Sequence, residues 1–206
     1  MREATRIIAA SFGFVAGLGG LEHGYFEILQ GNARPDSIMI ASMGAPCVPE
    51  EIWNLCEPAM TIIPNFLVSG ILTMVLGLVT IVWALAFVHR RHGAAILASL
   101  SFGLLLIGGG LFPPGIGIIG GLLGTKINTP MRKRPSAVWR MLAKMWPWAL
   151  VAFLIWLFAQ FLVGSLFNQF LMENAALIPL LVLGLMVVSI LAGYGHDVQQ
   201  NERADA

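Results

Sequence analysis

"GGGLFPPGIGIIGG", residues 108–121, interrupts the longest apolar run of the chain, and its reading decides the fold. The run extends from Gly93 to Leu123. That is too long for one simple membrane helix, which needs about 20 residues. Pro113 and Pro114 lack the amide proton that a helix interior requires, and Gly115 permits a sharp turn. Two arms result. As helix, Gly93–Leu111 would be about 28 Å long, enough to cross a bilayer. The return arm, Gly115–Met131, would be about 25 Å if it takes in "TKINTPM", with Lys126 reaching back to the surface.

The placement of lysine and arginine favours this hairpin over one long span, because basic residues gather on the cytoplasmic side. With a hairpin, eleven of the twelve basic residues fall on one side and only Arg34 on the other. The remaining apolar runs are Thr5–Leu29, Pro64–Val88, Trp148–Gly164 and Leu177–Tyr194. The expected architecture is an all-α, polytopic integral membrane bundle of six membrane segments, 1–206 forming a single membrane domain. Both termini are then cytoplasmic and the fourth segment is short and rich in glycine. A re-entrant loop at residues 93–131 preserves the same charge pattern and stays open as an alternative. Residues 30–63 become an extracytoplasmic loop, 125–147 a basic cytoplasmic loop and 195–206 a cytoplasmic tail.

Composition agrees. The chain is 57 % hydrophobic and only 11 % charged, with mean hydropathy +0.80, whereas soluble domains carry about a quarter charged residues. The first apolar run meets no small-residue cleavage site before Leu29 and reads as a retained span rather than a signal peptide. Trp139, Trp146 and Trp148 flank the inner boundary, as interfacial aromatic residues do. The lipid bilayer is therefore the first partner. The basic run Arg132-Lys133-Arg134, with Arg140 and Lys144, is explained by topology and anionic lipid, not by nucleic acid.

"GLEHGYFEIL", residues 20–29, places three ionisable groups in an apolar helix. Gly13, Ala16, Gly20, His23, Glu27 and Gln30 follow one another at spacings of three and four, so they share a face. Gly13-x-x-x-Gly17 and Gly20-x-x-x-Gly24 add small residues that let another helix approach, in this chain, in a homo-oligomer or in a membrane complex. Glu22 lies off that seam. Ionisable residues within a span face the bundle interior and mark functional sites, though His23 sits near one end of the helix, where the cost of exposure is small. A ligand or ion site and a structural pair both fit.

His23 and Glu27 lie on one helical face, and imidazole with carboxylate suits iron, zinc or manganese. Glu57, and Glu50 or Glu51, are the donors that would complete a metal ion's shell. The repeated Glu-x-x-His pairs of di-iron bundles do not occur. On the second apolar run Asn65, Ser69, Thr73 and Thr80 form a weakly polar stripe, and Gln160 lies at a depth similar to His23. Cys47 and Cys56 are separated by eight residues in the extracytoplasmic loop, where a disulfide between them would persist and tie the loop down. They lack the C-x-x-C spacing of exchange enzymes.

These features support binding or transport of a small molecule or ion through an outward-facing pocket of His23, Glu27, Asn65 and Gln160. Two alternatives remain. One is a membrane-embedded, metal-dependent enzyme with His23 as ligand or general base and Glu27 or Glu57 assisting. The other is a non-catalytic accessory subunit held by glycine-rich faces. No phosphate-binding loop, nucleophile elbow or zinc-protease helix occurs, so the reading leans away from an enzyme.

Overall fold

The computed structural model describes residues 1–41, 57–131 and 136–205. These are mostly helical: α1 (Glu3–Leu29), α2 (Phe66–Ala86), α3 (Gly93–Leu106), α4 (Phe112–Gly124), α5 (Ala137–Ala143), α6 (Trp148–Leu166), α7 (Asn168–Glu173) and α8 (Leu177–Asp205). Three helices, α1, α2 and residues Leu177–Glu202 of α8, are long and apolar enough to cross a membrane. They become four if α5 and α6, bent by 50° at their junction, form one span. The fold is not purely helical. Strands β1 (Met39–Ala41) and β2 (Pro58–Met60) pair antiparallel, Ile40 opposite Ala59. Extended chain beside an apolar bundle must pair its amides, and here each strand satisfies the other.

The interrupted run folds differently from the expected hairpin. Its prolines do not make the turn. They lie in the first turn of α4, where a missing amide proton breaks no helical hydrogen bond. The turn is residues 107–111, and Gly108 and Gly110 adopt positive φ, +109° and +82°. α3 and α4 pack against each other, and each is only about 20 Å long, short of the roughly 30 Å hydrocarbon core.

The described residues form two compact units, one of residues 9–41 and 57–126, the other of residues 1–8, 127–131 and 136–205. In the first, α2 buries Ser69, Gly70, Thr73, Gly77, Thr80 and Ala84, while large apolar side chains such as Val75, Leu78 and Leu85 are exposed. Small and polar inside, large and apolar outside is the pattern of helices packed in lipid. α1 and α2 touch backbone to backbone. A β-carbon on Gly17 would lie 2.6 Å from the Gly77 carbonyl oxygen, and one on Gly24 2.7 Å from that of Gly70. The pairs repeat seven residues apart, so the two helices run antiparallel in close contact.

In the second unit, Trp139 of α5 stacks edge-on against Tyr194 of α8, ring centroids 4.7 Å apart. α5 lies within the segment expected as a basic loop, of which residues 132–135 fall outside the described residues. The expected polar tail is helix: residues 195–205 continue α8. This stretch is tied to the start of α1 by Asp197, only 4 % exposed. Its carboxylate accepts hydrogen bonds from the amides of Ala4 (2.9 Å) and Thr5 (3.0 Å) and from Thr5 Oγ1 (2.6 Å). The first turn of α1 leaves amide donors unsatisfied, and a distant acidic side chain meets them. Asp197→Ala is expected to strand these donors and lower stability by about 2–3 kcal/mol. Thermal unfolding in detergent reads this, with Asp197→Asn losing less because one amide oxygen still accepts.

Candidate functional site

The site begins on the inward face of α1. His23 and Glu27 are one turn apart and both wholly buried. Tyr25, on the opposite face, is half exposed, and Glu22 is intermediate. His23 and Glu27 thus face the interior, while Glu22 and Tyr25 do not.

Residues 57–62 bring the next contributors. β2 and the residues after it bond on one edge to the β1 strand, Thr61 N to Ile38 O at 2.9 Å. The other edge bonds to the end of α3, Ile62 N to Leu106 O at 3.0 Å. This sets Glu57, immediately before β2, with Oε2 3.9 Å from His23 Nε2. Glu57 retains 18 % of its side-chain exposure against 1 % for His23, so it is the member of the pair that reaches solvent. Burial, and then the neighbouring Glu22 carboxylate, push Glu57 up to about 7, since both disfavour a further negative charge.

The α3–α4 turn closes the site. The Ile107 carbonyl accepts the hydroxyls of Ser69, at 2.7 Å, and Thr73, and Ser69 Oγ lies 2.7 Å from Thr61 Oγ1. These bonds hold the turn against α2. Beyond Ile107 the backbone lies directly on the buried pair. A β-carbon on Gly108 would be 2.0 Å from Glu27 Oε1, and one on Gly110 would be 2.5 Å from His23 Nε2. No side chain fits at either position, and the positive φ of both also favours glycine. The Ser69 hydroxyl lies within hydrogen-bond reach of the Glu27 carboxyl and is also placed to donate to Ile107 O. Neither oxygen of Glu27 makes a well-formed hydrogen bond with a described residue.

The structure therefore gathers His23, Glu27 and Glu57, and adds Ser69, Thr73 and Thr61 through Ile107. It does not gather Asn65, which is the N-cap of α2. The Asn65 side-chain oxygen accepts from Val68 N at 3.0 Å and its amide donates to Asn32. Gln160 belongs to the other unit, and its amide donates to Leu157 O of its own helix at 3.1 Å. Thr80 likewise bonds its own helix, at Leu76 O. Among the described residues no three His, Cys, Asp or Glu side chains are arranged to hold a metal ion. Glu50, Glu51 and the Cys47–Cys56 pair lie outside the described residues. Sequence reasoning missed Gly108, Gly110 and the Ile107 carbonyl. The available signal was three successive glycines beside a proline pair, which marks a backbone turn pressed against something.

The protein is thus a mostly helical chain with several helices able to cross a membrane and a closed polar cluster at one helix end. No protein-family model matches it, and comparison with curated proteins and with solved structures finds no match.

Gly108→Ala is expected to displace Glu27 or the turn and to lower the melting temperature markedly, because the added carbon meets Glu27 and the φ of +109° is strained. Gly115→Ala is the matched control: a β-carbon there meets nothing within 4 Å, and alanine is the better helix former by about 1 kcal/mol. The Glu57 shift predicts a pH dependence of stability. Below about pH 4.5 folded and unfolded chains both hold the Glu57 proton. As the pH rises toward about 7 the unfolded chain releases it first, so stability falls, by up to about 3 kcal/mol for a shift of this size. Above that the loss levels off. The difference between wild-type and Glu57→Gln melting curves between pH 4 and 8 should show this slope.

Proposed function

We infer that this chain is a multi-pass membrane protein that binds a small ion at the His23–Glu27–Glu57 cluster and takes part in its movement across the bilayer. One observation carries the reading. Glu27 is fully buried, without a well-formed hydrogen bond among the described residues, in a position where an unpaired carboxyl costs several kcal/mol. A protein keeps such a group where a bound ion or proton compensates it. Glu57, partly exposed and 3.9 Å from His23, supplies a polar route between solvent and the buried pair. The glycine turn lies so close over the pair that no side chain fits at Gly108 or Gly110, which leaves Glu27 and His23 covered by backbone.

In this reading both termini are cytoplasmic and the α3–α4 pair forms two short membrane segments, so that six segments result and the cluster faces outward. The gathering of lysine and arginine on one side supports that orientation. Interrupted helices ending within the membrane, as α3 does in this reading, commonly border ion sites in transporters.

The test is a current measurement on proteoliposomes adsorbed to a solid-supported membrane, with jumps in proton, sodium or potassium concentration. Wild type is expected to give transient currents with at least one of these ions, and Glu27→Gln to abolish them while remaining folded by circular dichroism. A wild type silent to all three ions, or a Glu27→Gln variant with unaltered currents, overturns the reading.

A further inference from the structure

The end of α3 offers more than a turn. Its last carbonyls carry the negative end of the helix dipole, and Ile107 O, just beyond, projects toward α2 to meet Ser69 and Thr73. The next residue, Gly108, lies against Glu27 Oε1. Two hydroxyls, one backbone carbonyl and one buried carboxylate thus converge where a helix ends within the bundle. All the donors are oxygen.

Hydrogen bonding alone accounts for only half of this arrangement. The Ser69 and Thr73 protons both go to Ile107, which satisfies that carbonyl twice. Glu27, the group with most to lose from burial, receives neither proton in a well-formed bond. A cation that displaces the two hydroxyl protons from Ile107 reconciles the two, because the hydroxyls can then turn their lone pairs toward it together with those of the carbonyl and the carboxylate.

The geometry points to a binding site for a small monovalent cation, sodium, formed by the Glu27 carboxylate, the Ser69 and Thr73 hydroxyls and the Ile107 carbonyl. The inference rests on the ion-binding reading above, narrows its ligands to the oxygens around Glu27 and names the occupant. One carboxylate among neutral oxygens balances a single positive charge. Calcium takes six to eight oxygens, with carboxylates prominent among them, and here Glu57 is turned to His23 instead. Zinc, copper and iron favour nitrogen or sulfur, and His23 lies under Gly110, not under the Ile107–Gly108 step. Carriers use this same combination of unwound carbonyls and helix C-terminal ends to hold sodium.

Thermal unfolding of the detergent-purified full chain, with choline chloride replaced by sodium, lithium, potassium or calcium chloride at constant ionic strength, tests the site. A ligand that binds only the folded state raises the melting temperature in a saturable way. Sodium, and to a lesser degree lithium, is expected to do so in the wild type. Thr73→Val and Ser69→Ala should each weaken the sodium midpoint at least tenfold, and Thr73→Ser should restore it. Thr80→Val, whose hydroxyl bonds only its own helix, should bind sodium as the wild type does. A wild type indifferent to sodium, or one responding equally to potassium or calcium, overturns the sodium site. If sodium has no effect while Glu27-dependent proton currents persist, the sodium site falls and the ion-binding reading stands. If Glu27→Gln leaves every current unaltered, both fall.

Discussion

A buried carboxyl beside a buried histidine, roofed by backbone, is the constraint on which the first unit depends. Glu27 and His23 are both wholly enclosed, and enclosure requires that something without side chains cover them. Gly108 and Gly110 meet that requirement because their positive φ values bend the chain back over the pair. The bend in turn leaves the end of α3 in need of anchoring. Ser69 and Thr73 of α2 provide it through the Ile107 carbonyl, and Thr61 links the same point to the β ribbon. One polar cluster therefore fixes the relative placement of α1, α2, the α3–α4 turn and the ribbon.

The same economy governs the helix contacts. In lipid, apolar side chains gain little by burial against one another, so close approach and satisfied polar groups must hold helices together. The Gly17–Gly77 and Gly24–Gly70 contacts bring α1 and α2 backbones together, and the Ser69 and Thr73 hydroxyls tie α2 to the Ile107 carbonyl. In the second unit Asp197 does for the start of α1 what the hydroxyls do for the end of α3. In both cases a helix terminus that cannot turn to water is satisfied by a side chain far away in sequence.

Much of the architecture was legible in the residues. Long apolar runs with few charges announced membrane-length helices, and spacings of three and four placed Gly20, His23 and Glu27 on one buried face. The association of Glu57 with His23 could be anticipated because Glu57 closes the loop ahead of the second long helix. Asn65 shows that depth along a helix says nothing of what a side chain bonds, since it caps α2. A polar residue at a helix start is more often its cap, and a glutamine within a helix can return its amide to its own backbone. The strands were invisible, being three residues each, too short for any alternation to register.

By itself, then, the sequence determined the membrane-length helices, the break in the third run and the inward face of α1, because these follow from local periodicity and from the chemistry of proline, glycine and charge. Tertiary structure alone decided where the break turns, what lies over His23 and Glu27, and which hydroxyls and carbonyl share their end of the bundle. The physical reason is that such contacts join residues 34 to 87 positions apart. Backbone carbonyls and glycine α-carbons, which form half of the site, are identical in every sequence until the fold aims them.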